Sequence, residues 1–126
     1  MTKKLLIVDD EERIRELVQA CLEDLGGWDT VTAASGQEGL NIAQIEPDID
    51  AIVLDVSMPD MDGFAVYEQL QANTLTQSIP VILLTAKVQP SDRDRFATMG
   101  IAGVITKPFE PITISQEVAE ILGWSD

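Results

Sequence analysis

A handful of polar residues sit at the ends of this sequence's apolar runs, and together they suit phosphoryl-group chemistry. Asp9-Asp10 follow Leu5–Val8, Asp55 follows Ala51–Leu54, Thr85 follows Val81–Leu84, and Lys107-Pro108 lie just past Gly103–Ile105. Carboxylates brought together repel one another, and unless a cation joins them their pKa values rise. The chain has no histidine and its one cysteine lies elsewhere, so the donors are all oxygen and prefer a hard cation. Few protein ligands favour Mg²⁺, which keeps several waters and binds one or two carboxylates plus a phosphate. Lys107 adds an ammonium and Thr85 a hydroxyl. Metal and ammonium neutralise charge on a transferring group, and a carboxylate can be its nucleophile.

Taken singly, each residue has a plainer use. Asp9 or Asp10 serves equally as a helix N-cap, and Asp55 as a turn residue. Thr85 is a β-branched strand residue and Lys107 a solvated lysine. Asp60-Met61-Asp62-Gly63 reads as a turn leading into a helix. Cys21 lies on an apolar stripe as a small core residue, and Trp28 and Trp124 read as packing residues. It is the joint placement of the polar groups at strand ends that carries chemical meaning.

That placement requires elements to hold it. Three of the runs are continuous, which suits strands buried on both faces, as in parallel sheets; the fifth run is Val31–Ala34, entered from Trp28. Helical patterns alternate with them. Ile14, Leu17, Val18, Cys21, Leu22 and Leu25 form one stripe, with Glu11 and Glu12 in the first turn and Gly26 after its end. Ser35-Gly36-Gln37-Glu38 is a capping box for a second helix. Phe64, Tyr67 and Leu70 mark a third, Ser91 to Gly100 bounds a fourth, and Ile114, Val118, Ile121 and Leu122 lie on a fifth that stops at Gly123. The pattern predicts an α/β fold, a doubly wound five-stranded parallel sheet with five helices and right-handed crossovers. Strand C-termini of such a sheet share one edge, where ligands bind at a topological switch point. Order 2-1-3-4-5 puts that point between the first and third strands, the two with acidic ends.

Composition narrows the function classes. The 126 residues suit one domain, expected over 1–126 with no output domain attached. Eight Lys and Arg against twenty-two Asp and Glu give a formal charge of −14, which argues against nucleic-acid binding and against docking on anionic membranes. Without histidine, Ser–His and Cys–His nucleophiles are excluded. The apolar start is too short for a signal peptide, and no run approaches the roughly 20 apolar residues of a membrane span. A cytoplasmic location is expected.

From Lys4-Leu5-Leu6-Ile7-Val8-Asp9-Asp10 to Leu122, the chain resembles the receiver domains of two-component response regulators, the family of the bacterial chemotaxis regulator, with its flavodoxin-like strand order. The motifs are Val8-Asp9-Asp10-Glu11, Asp55-Val56-Ser57-Met58-Pro59-Asp60-Met61-Asp62-Gly63, Thr85-Ala86 and Lys107-Pro108-Phe109. The resemblance implies that Asp55 is phosphorylated and that Asp10 and Asp55 ligate Mg²⁺, with Asp9 acting through bound water and the Ser57 carbonyl as a further ligand. It implies that Thr85 and Lys107 contact the phosphoryl group and that Lys107-Pro108 is cis. Ser57 and Lys87 would tune dephosphorylation. A histidine kinase or histidine phosphotransfer protein would be the donor. The chain would catalyse only its own phosphorylation and slow autodephosphorylation, and phosphorylation would change binding to a downstream target through the face of the fourth helix, fifth strand and fifth helix. Arg13 and Arg15 on the first helix are candidates for kinase docking. One departure stands out: Val104 occupies the position where the family often has an aromatic switch residue.

Two alternatives follow from the same residues. Val104 and the expected lack of an output domain suit a constitutive interaction module. An enzyme on this architecture is the other; but a haloacid-dehalogenase-type phosphatase needs a second Asp where Ser57 stands, and Asp9-Asp10-Glu11-Glu12 replaces a dinucleotide glycine fingerprint.

Overall fold

The computed structural model describes residues 2–86 and 90–124, apart from the side chains of Pro90 and Arg93. Strands and helices alternate: β1 Lys4–Val8, α1 Glu12–Asp24, β2 Asp29–Ala33, α2 Gly36–Ile45, β3 Ala51–Asp55, α3 Gly63–Ala72, β4 Val81–Thr85, α4 Pro90–Met99, β5 Gly103–Thr106 and α5 Ile114–Leu122. The strands form one sheet in the order β2-β1-β3-β4-β5, and every pairing is parallel. The fold class is the one the apolar runs predict, and the strand order is the flavodoxin-like one the resemblance implies.

The doubly wound arrangement follows from strand periodicity, because successive side chains point to opposite faces. Leu6, Val8, Ile52, Leu54, Val81 and Leu83 face one way and pack with residues of α2, α3 and α4, among them Leu40, Val66, Leu70 and Phe96. Leu5, Ile7, Val53, Ile82 and Leu84 face the other way and pack with α1 and α5 through Val18, Cys21, Leu22, Ile114 and Val118. With both faces covered, Leu5–Val8 of β1 and Ala51–Leu54 of β3 can be continuously apolar, and β3 is buried along its whole length. Leu22 is fully buried. Leu22→Ala is therefore expected to lose about 2–5 kcal/mol of stability, read as a lower urea midpoint with the sheet intact.

Local signals hold at several helix ends. Ser35 caps α2 by accepting the Glu38 N–H at 3.1 Å, and Asp62 caps α3 by accepting the Ala65 N–H at 2.8 Å. α5 ends at Gly123 in the left-handed region, φ 70°, with its N–H returned to Ala119 and Glu120 carbonyls. Three details differ from the sequence reading. The α1 stripe is narrower: Leu17 and Leu25 are 38% and 57% exposed, because Val18, Cys21 and Leu22 are buried against the sheet with Ile14 at their edge, and Leu25 lies past the last turn. The N-cap of α1 is Glu11, without a side-chain bond, rather than Asp9 or Asp10. α4 starts at Pro90, one residue ahead of Ser91, as suits a residue that favours the first helical position.

Candidate functional site

β1 and β3 are neighbours, and Val8 pairs with Leu54. That register delivers Asp9, Asp10 and Asp55 to one place just beyond the sheet's carboxyl edge. Each offers a carboxylate oxygen, and the three oxygens lie within 4.8 Å of one another. Asp9 and Asp55 are buried and Asp10 is exposed, so the niche opens to solvent on the Asp10 side. Lys107, from the end of β5, reaches across two strands. Its ammonium donates to Asp55 Oδ1 at 3.1 Å and to Asp9 Oδ2 at 3.3 Å.

Backbone contacts fix the carboxylates. Asp9 Oδ1 accepts the Glu11 N–H at 2.9 Å, and the Asp9 carbonyl accepts from the Arg15 guanidinium at 2.9 Å. Asp55 Oδ1 accepts the Ser57 N–H at 3.4 Å. α3 begins directly against the end of β3: the Gly63 N–H donates to Val56 O at 2.8 Å. A β-carbon at Gly63 would lie 2.7 Å from Asp55 O and 2.9 Å from Val56 Cα, so only glycine allows this approach. The Lys107 N–H donates to Thr85 O at 2.8 Å, which ties the ends of β4 and β5 together, and Lys107-Pro108 is cis.

The electrostatics match the crowding. Burial pushes the Asp55 carboxyl above its ordinary pKa, the Asp9 charge pushes the same way, and the Lys107 ammonium opposes both. For Lys107, burial disfavours the ammonium, but the pull of Asp55 and Asp9 exceeds it and the pKa is raised. The niche is thus short of positive charge. Three oxygen donors, one of them exposed, fit a hard divalent ion that retains water.

Most of the sequence-predicted residues gather here. Asp9, Asp10, Asp55 and Lys107 converge, and Ser57 joins through its N–H. Thr85 ends β4 one residue beyond Leu84, the register partner of Asp55. Val104 is half-buried and packs at the edge of the core beside α2, α3 and α4. Lys87 lies outside the described residues. Arg15, read as a docking residue, is half-buried against the Asp9 carbonyl, whereas Arg13 is exposed. The sequence reading missed Asp60. Its Oδ1 and Oδ2 accept the N–H groups of Gly36 and Gln37, both at 3.2 Å, and those two bonds hold its pKa low. No local pattern signals this, since the donors lie on another helix.

A doubly wound sheet with an acidic, cation-seeking niche and one ammonium at its switch point defines a class of α/β protein suited to handling a phosphoryl group. Comparison with known proteins places it within that class. The response regulator receiver domain family matches residues 5–119, and the chain belongs to it. It is 41% identical over 126 residues to the alkaline phosphatase synthesis transcriptional regulatory protein PhoP of Bacillus subtilis, covering all of this chain and 51% of that protein. It is 36% identical over 119 residues to response regulator Rre1 of Synechocystis, covering 94% of this chain and 51% of that one. The chain thus spans about half the length of the curated relatives it matches. Among solved structures, chemotaxis protein CheY4 of Vibrio cholerae superposes with a TM-score of 0.87 at 32% identity, covering 96% of this chain and 99% of that one. The receiver unit this chain forms is a phosphorylation-switch module of the two-component type. Among the described residues, no helix is long and apolar enough to cross a membrane.

Proposed function

We propose that Asp55 is the residue phosphorylated, and that Asp9, Asp10, Asp55 and the Ser57 carbonyl hold Mg²⁺, Asp9 acting through bound water. The observation that carries this reading is the convergence of three carboxylates and Lys107 at the strand edge. Bound Mg²⁺ would supply positive charge for the entering phosphoryl oxygens. The protein's own groups do the rest. The Asp55 carboxylate attacks phosphorus, and the donor's leaving group departs with its bonding electrons. Lys107, held 3.1 Å from Asp55 Oδ1, neutralises charge on the transferred group, and the Thr85 hydroxyl donates to one of its oxygens. The donor is a histidine kinase or histidine phosphotransfer protein of the cytoplasm, as the family match supports.

Phosphorylation adds charge and acceptors at the carboxyl edge of β3. The end of β4 responds through Thr85, and the Thr85–Lys107 backbone bond carries the response to β5. The receiver unit, residues 1–126, then changes its affinity for a target protein at the α4–β5–α5 face. Half-buried Val104 offers no aromatic ring to swing inward, so this transmission uses backbone movement or another side chain. An affinity for the target that is identical with and without a phosphoryl mimic would favour a constitutive module instead.

The direct test is intact-mass analysis after incubation with acetyl phosphate. With Mg²⁺ the protein should gain one phosphoryl mass, and with excess chelator none. Uptake at the same rate in both conditions would overturn the metal assignment.

A further inference from the structure

The turn between β2 and α2 is bonded on both sides to the loops that build the niche. On one side the Asp9 N–H donates to the Ala33 carbonyl at 3.1 Å. On the other, the N–H groups of Gly36 and Gln37 donate to the two carboxylate oxygens of Asp60, each at 3.2 Å. Asp9 belongs to the niche, and Asp60 lies at the far side of the short loop that runs from Asp55 through Ser57. The turn itself is held by the Ser35 cap. The seat leaves little slack, because a β-carbon at Gly36 would fall 3.1 Å from Met61 Cβ and 3.3 Å from Met61 O. Within the loop, Met58 is buried and Pro59 has a fixed φ. A restraint at Asp60 therefore reaches Ser57, three residues back.

Asp60 is separate from the acidic cluster, which comprises Asp9, Asp10 and Asp55 among the described residues. Its carboxylate is engaged by both backbone donors and sits where the α2 dipole favours negative charge. We propose that Asp60 is a positioning residue: clamped to the first turn of α2, it sets the separation between the Asp9–Asp10 side and the Ser57 side of the niche, and so strengthens Mg²⁺ binding without touching the ion. This rests on the reading that Mg²⁺ lies among Asp9, Asp10, Asp55 and the Ser57 carbonyl. Partners that orient ligands from outside the coordination sphere influence affinity strongly.

The test is calorimetric titration of Mg²⁺ into the parent, Asp60→Ala and Asp60→Asn at low and high KCl, with urea unfolding run alongside. Asp60→Ala should bind Mg²⁺ about tenfold more weakly, the lower end of such effects. Asp60→Asn should fall between, because a carboxamide has one acceptor oxygen for two N–H donors. The parent-to-variant ratio should persist at high salt, where the loss of a remote charge would be screened. A purely structural cap would lower the urea midpoint and leave the Mg²⁺ affinity of the folded protein unchanged. A folded Asp60→Ala with parental affinity overturns the proposal, as does a ratio that collapses to one at high salt. Should the Ala variant not fold, parental affinity in Asp60→Asn overturns it. If the parent itself takes up no Mg²⁺, the niche reading falls and this inference falls with it.

Discussion

Asp55→Asn is expected to take up no phosphoryl group under conditions that label the parent fully, and to unfold at a higher urea concentration than the parent in Mg²⁺-free buffer. The first outcome follows because a carboxamide lacks the anionic oxygen that attacks phosphorus; it is read by intact mass. The second follows from the pKa direction. Burial first, and the Asp9 charge second, hold the Asp55 carboxyl above its ordinary value despite Lys107. The folded protein therefore takes up this proton at a higher pH than the unfolded chain does. A group with a raised folded pKa contributes stability that is fully present below the unfolded pKa and is lost as pH rises through the folded one. At neutral pH ionised Asp55 thus destabilises the fold, and Asn removes that cost. The advantage of the variant should shrink as pH falls toward the carboxylate range. Mg²⁺, bound by the folded niche, should stabilise the parent more than the variant. Labelling of the variant at the parental rate would remove Asp55 from its role; equal urea midpoints across pH would show that its burial is relieved by other means.

Lys107→Met should have the largest effect on stability of any change at the site. The substitution keeps most of the side-chain length and removes the ammonium that faces Asp55 and Asp9 at 3.1 and 3.3 Å. Those carboxylates are 3% and 1% exposed, so water compensates poorly. Removing one partner of a fully buried pair typically costs about 3–5 kcal/mol; here about 2–3 kcal/mol is expected, since the Lys107 side chain is 18% exposed and the niche opens toward Asp10. The check is chemical denaturation with chelator present. Adding Mg²⁺ should raise the midpoint of the variant more than that of the parent, because the ion then supplies the missing positive charge. A variant as stable as the parent in chelator would mean that the two carboxylates do not depend on the lysine.

These effects depend on features that differ in how local they are. The strands were readable because an apolar run of four or five residues can be buried only between two layers, and the alternation of runs with helical stripes leaves few topologies. The Ser35 cap and the stop at Gly123 were readable for a similar reason, since donor and acceptor lie within a few residues. The approach of Asp9, Asp10, Asp55 and Lys107 was also accessible, because parallel strands place their carboxyl ends on one edge. Packing decided the rest. Asp9 and Asp10 are adjacent and chemically identical, yet one is buried and the other exposed; neighbouring side chains leave a strand end in different directions, and only the surrounding elements determine which is covered. Leu17 continues the apolar stripe of α1 but lies outside the contact with the sheet. Arg15 and Asp60 find backbone partners whose positions follow from how β1, α1, α2 and the β3–α3 loop pack. The sequence by itself determined which groups reach the carboxyl edge, because strand direction and hydrophobic burial are properties of short segments. Tertiary structure alone decided which of those groups lose water and which are braced, because desolvation and hydrogen bonding between elements depend on neighbours far away along the chain.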